Sequence, residues 1–195
     1  MKGIILDLDG TIVDAPYDWA LIRAKLGVEG ESILAYLEGL EEPEKSGKWE
    51  ELKAIEARAT ERARLKPGMK RWLKSLSRQG IKTALVSNNT LENVDFLRRK
   101  FDLAFDVVLT REAGLWKPSG APFLEAMRRL GLEKEDCIVV GDSHYDAKAA
   151  ADAGIGKIFL LKREKNEFFG DGVEVCASVE ELKRRVERLI EASSS

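Results

Sequence analysis

The sequence predicts an α/β protein: a parallel, doubly wound sheet with helices on both faces (a three-layer α/β/α core) and a small helical subdomain inserted after the first strand. Three observations predict it. From residue 69 onward, short apolar runs alternate with amphipathic stretches, the pattern of strand–helix units that pair in parallel through right-handed crossovers. Near the start, the apolar run Gly3 to Leu6 stops at Asp7, Leu8, Asp9 and Gly10, as a buried parallel strand stops. Between these two parts, residues 15–65 carry helical spacing and no β-branched apolar run.

After the first strand, Gly10 and Thr11 turn the chain out of the sheet. In the insertion, Trp19, Ile22 and Leu26 recur at helical spacing until Gly27 and Gly30 interrupt them. Ile33, Leu37 and Leu40 form a second stripe closed by Pro43 and Gly47, and Trp49, Leu52, Ile55, Ala59 and Ala63 form a third. Lys66-Pro67-Gly68 is the exit hinge, since proline and glycine both end helices. The expected division is therefore 1–14 with 66–195 for the α/β core and 15–65 for the helical subdomain.

The core then continues in order. A helix runs through Trp72 and Leu76 to Gly80, and a strand from Ile81 to Val86 ends in Ser87-Asn88-Asn89. A helix from Leu91 to Lys100 leads to a strand from Phe105 to Leu109. Pro122 to Leu130 is helical and closed by Gly131. Cys137 to Val140 is a strand ending in Gly141-Asp142, followed by a helix from Asp146 to Ala153 stopped by Gly154. Lys157 to Leu161 is expected as the last core strand. Val179, Leu182, Val186 and Leu189 mark a closing helix, and Ser193 to Ser195 a frayed tail.

At 195 residues the chain suits one domain or a domain with an insertion. Its 32 basic and 34 acidic side chains nearly cancel, which argues against nucleic acid or an anionic membrane as the main partner. No apolar run approaches the ~20 residues that span a bilayer. The first apolar run ends at Asp7, too short for a signal peptide. Cys137 and Cys176 form neither a disulfide framework nor a metal cluster, so a cytoplasmic setting and two partly buried thiols are expected. A monomer or small homo-oligomer is expected. Gln79 is the sole glutamine amid abundant Glu, Lys and Arg, a bias associated with heat-stable surfaces; a mesophilic melting midpoint would dispose of that expectation.

Ligand crevices in open α/β sheets lie beyond the carboxyl ends of the strands. Three strands end there in polar signatures: Asp7 and Asp9, Ser87 and Asn88, Asp142 and Asp146. Lys117 lies in the loop before another core helix. If these ends point the same way, one crevice holds several carboxylates, a hydroxyl and a lysine. Carboxylates so close repel unless protonation or a divalent cation relieves them. Hard oxygen ligands suit Mg²⁺, and a lysine with a hydroxyl donor would neutralise a tetrahedral oxyanion such as phosphate. A carboxylate nucleophile near a metal and a cation is the arrangement that makes an aspartyl phosphate.

Asp7-Leu8-Asp9-Gly10-Thr11, Ser87-Asn88, Lys117-Pro118 and Gly141-Asp142-Ser143 with Asp146 resemble, in order, the four motifs of the haloacid dehalogenase superfamily. Each motif alone is weak; four in order at strand ends are specific. The resemblance covers the α/β core, implies a Rossmann-like fold, and places the helical segment where that family carries its first type of cap. Phosphoglycolate phosphatases are the members it most suggests.

The resemblance implies Asp7 as nucleophile and Asp9 as the acid that protonates the leaving oxygen and then the base that activates water. Members that cleave carbon–halogen bonds lack the second aspartate, so Asp9 favours phosphate esters. Asp7, the Asp9 backbone carbonyl, Asp142 and Asp146 would hold Mg²⁺, with Asp146 either in the metal shell or orienting Lys117. Ser87 and the Asn88 amide would bind the phosphoryl group, with Thr11 beside them, and Lys117 would neutralise Asp7 and the phosphoryl oxygens. Plainer readings stand beside these: a first-turn carboxylate for Asp146, a helix cap for Ser-Asn-Asn, and a surface place for His144. Trp19, Arg23, Arg58 and Arg62 could read the leaving group or be surface and core. Two departures stand out, an insertion shorter than many caps and Ser119-Gly120-Ala121-Pro122 in place of the common Lys-Pro-x-Pro spacing.

The expected activity is Mg²⁺-dependent hydrolysis of small phosphorylated metabolites, such as phosphoglycolate or sugar phosphates. The alternatives are a phosphomutase and a receiver-like phosphoacceptor. The receiver reading is disfavoured because the third strand ends in Leu109-Thr110 rather than in an acid.

Overall fold

In the computed structural model, residues 1–30, 32–161 and 172–192 are described. The chain divides into two compact units, Met1–Asp14 with Leu65–Ser195, and Ala15–Arg64.

The first unit is built on strands β1 (Gly3–Leu6), β4 (Lys82–Val86), β5 (Val107–Leu109), β6 (Cys137–Gly141), β7 (Ile158–Leu161) and β8 (Val173–Cys176). They form one sheet in the order β5-β4-β1-β6-β7-β8, with every pairing parallel. Its helices are α4 (Met69–Arg78), α5 (Leu91–Phe101), α6 (Ala121–Leu130), α7 (His144–Asp152) and α8 (Val179–Ala192). Alternation along the strands sends Ile5, Ala84, Val86, Leu109, Val139 and Leu160 to one face. There Phe123, Ala126 and Met127 of α6 and Ala149 and Ala150 of α7 bury them. Helices α4 and α8 supply Trp72, Leu76, Leu182 and Val186 as further fully buried apolar side chains. Strands buried on both faces read as near-continuous apolar runs, which is why β1, β6 and β7 were plain in the sequence.

The second unit holds α1 (Trp19–Leu26), α2 (Ile33–Glu38) and α3 (Glu44–Arg62). Asp18 caps α1 by accepting from the Leu21 amide at 3.0 Å, and Ser32 caps α2 by accepting from Ala35 at 3.2 Å, each satisfying a donor the helix start leaves open. Ile22, Leu26, Leu34, Leu37, Leu52 and Ala59 are the buried stripe. Short strands β2 (Val13–Asp14) and β3 (Arg64–Leu65) mark where the chain leaves and re-enters the core. In the core unit, the Lys66 amide donates to the Ile12 carbonyl at 3.0 Å.

Three expectations are corrected. Lys157 to Leu161 is not the last strand: β8 follows it in the sheet, a four-residue segment with Val175 exposed that pairs, among the described residues, with β7 alone and lacks an apolar run. Gly47 does not end a helix but lies inside α3, where open space surrounds it and the ~1 kcal/mol cost of a helical glycine is spread over nineteen residues. Helix α7 begins at His144 rather than Asp146. The tail expected at Ser193 to Ser195 lies outside the described residues. Among the described residues, no helix is long and apolar enough to cross a membrane.

Candidate active site

The register of the central strands brings the site together. Leu6 aligns with Leu85 on one side and with Val140 on the other, so the residues just past each strand emerge at one edge. The Asp7 amide still donates to the Val140 carbonyl at 2.9 Å. The chain then turns sharply: the Leu8 carbonyl accepts from the amides of Thr11, Ile12 and Val13 at 3.3, 2.9 and 3.0 Å. Gly10 sits at φ 88°, a left-handed conformation that glycine adopts without steric cost. This turn folds the buried Thr11 back, and its hydroxyl donates to Asp7 Oδ2 at 3.2 Å.

The other Asp7 oxygen meets Lys117. Lys117 Nζ donates to Asp7 Oδ1 at 2.5 Å and to Asp146 Oδ1 at 2.7 Å, and all three residues are buried. The second oxygen of Asp146 accepts from the Ser143 hydroxyl at 2.7 Å, the Ser143 amide at 3.1 Å and the Asp142 amide at 3.2 Å. Asp146 therefore ties the first turn of α7 and holds the lysine at once. Gly141 makes room for it: a Cβ there would lie 2.4 Å from Asp146 Cγ.

One lysine shared by two carboxylates sets their protonation. Burial opposes the Lys117 ammonium, but the charges and hydrogen bonds of Asp146 and Asp7 outweigh it and raise its pKa, keeping it cationic. Burial also opposes the Asp146 carboxylate, yet Lys117, Ser143 and the Asp142 amide hold its pKa below the usual value. For Asp7 burial wins over the attraction of Lys117, and the neighbouring Asp146 adds to it, so its pKa is raised.

The Ser87-Asn88-Asn89 stretch is not the helix cap; Thr90 is, accepting from the Asn93 amide at 3.2 Å. Asn88 grips Lys117, its Nδ2 donating to the Lys117 carbonyl and its Oδ1 accepting from the Lys117 amide, both at 2.9 Å. The buried Ser87 hydroxyl accepts from the Asn89 amide at 3.1 Å, and a hydroxyl that accepts retains a proton to donate. Asn89 reaches across to Asp9, its Nδ2 donating to Oδ2 at 3.0 Å. The eight residues singled out in the sequence thus lie in one region of the core unit, and Asn89, which was not singled out, links two of them. Its signal was the second asparagine of the pair.

Asp7, Asp142 and Asp146 each offer a carboxylate oxygen within 4.8 Å of the others, all three being buried. An all-oxygen donor set with no nitrogen or sulfur fits Mg²⁺. His144 is half-buried at the start of α7, edge-on to Tyr145.

Of the residues considered as leaving-group readers, Arg58 and Arg62 line a cavity of about 310 Å³ in the helical unit, with Tyr17, Leu21, Lys25 and Ile55. Trp19 stacks on Tyr17 at 4.6 Å, and Arg23 donates to the Gly30 carbonyl.

Comparison with known proteins identifies the family and the fold. The model of the haloacid dehalogenase-like hydrolase family matches residues 16–154. An uncharacterized hydrolase of Saccharomyces cerevisiae is 28% identical over 96% of this chain and 90% of its own. A phosphoglycolate phosphatase of Aquifex aeolicus is 30% identical over 79% of this chain and 82% of its own. Among solved structures, a hydrolase from Pseudomonas syringae superposes with a TM-score of 0.80 over 97% of this chain and 99% of that one; at 17% identity it shows the shared fold.

Proposed function

The chain belongs to the haloacid dehalogenase-like hydrolases, and from that premise we propose that it is a Mg²⁺-dependent phosphatase of small phosphorylated metabolites acting through an aspartyl phosphate. The observation that carries the reading is the buried trio of Lys117 with Asp7 and Asp146, set beside Asp142 and the Asp9 network. Relatives named as phosphoglycolate phosphatases support phosphate monoesters as the substrate class, with phosphoglycolate and sugar phosphates the first candidates.

Asp7 attacks phosphorus through one carboxylate oxygen, and the bond from phosphorus to the ester oxygen breaks. Asp9 gives its proton to the departing alkoxide and then, as a carboxylate, takes one from the water that attacks the aspartyl phosphate. Phosphate leaves and Asp7 is regenerated. Lys117 holds Asp7 in the attacking orientation and offsets the negative charge that would repel a phosphate dianion. The Ser87 hydroxyl and the Asn88 amide face the transferred phosphoryl group. Asp7, Asp142, the Asp9 carbonyl and Asp146 would hold Mg²⁺, which when bound supplies further charge neutralisation at the phosphoryl oxygens. Asp146, bound to Lys117 through one oxygen and to the start of α7 through the other, would also orient the lysine.

The test is phosphate release over a panel of phosphorylated metabolites, with Mg²⁺ and with a chelator, for the wild type and Asp7→Asn. Mg²⁺-dependent release that Asp7→Asn abolishes is expected. Release that survives in Asp7→Asn, or that ignores Mg²⁺, would refute the reading.

A further inference from the structure

Asn89 is 4% exposed, and the orientation of its carboxamide is decided by what surrounds it. Its oxygen accepts from the Thr90 amide at 2.8 Å and from Asn93 Nδ2 at 2.9 Å. A backbone amide can only donate, so a flipped side chain would set N–H against N–H there and bring its oxygen against the Asp9 carboxylate. The flip is doubly unfavourable, and the amide nitrogen must point at Asp9 Oδ2, where it lies at 3.0 Å.

The far end of this arrangement is rigid. Asn93 is buried in the first turn of α5, and its amide is held by the Thr90 hydroxyl. The Asn89 amide is itself fixed by the Ser87 hydroxyl. A donor anchored at three points therefore meets Asp9, whose loop turns on Gly10.

We infer that Asn89 is a positioning residue for Asp9: its locked carboxamide fixes the direction in which the Asp9 carboxyl group faces the leaving oxygen. The inference rests on the reading of Asp9 as general acid. It assigns to the tandem asparagines two separate tasks, Asn88 holding the backbone of Lys117 and Asn89 holding the side chain of Asp9.

Asn89→Asp isolates the effect. It keeps an oxygen for Thr90 and Asn93 while removing the amide donor that faces Asp9; Asn89→Ser, which keeps a smaller acceptor, is the second variant should the first fail to fold. The readout is kcat/KM, which reports the steps through departure of the alcohol. Two probes are compared: phosphoglycolate, whose alkoxide needs a proton, and p-nitrophenyl phosphate, whose phenolate leaves without one. A folded Asn89 variant is expected to lose about 10-fold or more on phosphoglycolate, within the range of general acid catalysis, and far less on the aryl ester. A merely structural residue would lower both alike. Asp9→Asn is run beside it. Selective loss in Asp9→Asn with equal loss, or none, in the Asn89 variants overturns the inference alone. Equal loss on both probes in Asp9→Asn overturns the role of Asp9, and the inference falls with it.

Discussion

Asn88 holds the backbone of Lys117 from both sides of one residue, donating to its carbonyl and accepting from its amide at 2.9 Å each. The lysine that neutralises Asp7 is thus placed by a side chain on a different strand end, twenty-nine residues away in sequence.

Asn88→Ala removes both bonds and lets the Lys117 loop drift from Asp7. About 1–2 kcal/mol of folding stability should be lost, as for unmaking hydrogen bonds of this kind, and kcat should fall more than KM rises. Chemical denaturation with steady-state kinetics checks this; unchanged kcat would remove the positioning role.

Lys117→Met takes the cation from between two buried carboxylates. Removing one partner of a buried ion pair costs about 3–5 kcal/mol, and here two charges are left facing each other. The variant should be inactive and destabilised in chelator, with Mg²⁺ restoring part of the stability by binding the native state. Equal stability with and without Mg²⁺ would argue that the acidic cluster holds no ion.

Gly141→Ala tests the close approach at the end of β6. A methyl group 2.4 Å from Asp146 Cγ forces the carboxylate away from Lys117 and from the start of α7. Overpacking of this kind costs about 1–3 kcal/mol, and activity should fall steeply. Activity near that of the wild type would show that Asp146 can shift without consequence.

The sheet and the acids at its edge were legible because both leave strong local marks. Ile4, Ile5 and Leu6 can only be buried, and Asp7 after them can only be at a strand end. Three such strand ends, with the Lys117 loop, carried the four motifs of the family resemblance. What the sequence concealed depended on pairing across the fold. Strand β8 was missed because its four residues, with Glu174 among them, show no apolar run of the kind that marked β1 and β7. Thr90, not Ser-Asn-Asn, caps α5, and that choice is made by which side chains Lys117 and Asp9 occupy. Asn88 and Asn89 look alike in sequence; their different partners follow from the register of β1 beside β4 and from the loop that carries Lys117. Asp146 shows how one side chain can fill the first-turn place and still reach the lysine, since one oxygen serves the helix start and the other Lys117.

The thiols give a pH test away from the site. Burial, with Asp136 nearby, pushes Cys137 up to about 11 from 9.0, and burial does the same for Cys176, to about 11, against the opposing pull of Arg185. A raised acid pKa in the folded state means that both states hold the proton below pH 9. Above it the unfolded chain ionises first, so stability falls between about pH 9 and 11. In the native protein both thiols should resist alkylation at pH 8 and react on unfolding; rapid native alkylation would contradict the buried placement.

The most direct test of the account is to trap the bond it requires. Enzyme turning over phosphoglycolate with Mg²⁺ is acid-quenched, treated with borohydride and digested for mass spectrometry, which converts an aspartyl phosphate to homoserine at the modified position. The account predicts homoserine at position 7, absent without substrate and absent in Asp7→Asn. Hydrolysis that proceeds with no modification at position 7, or with modification at Asp142 or Asp9 instead, would contradict it.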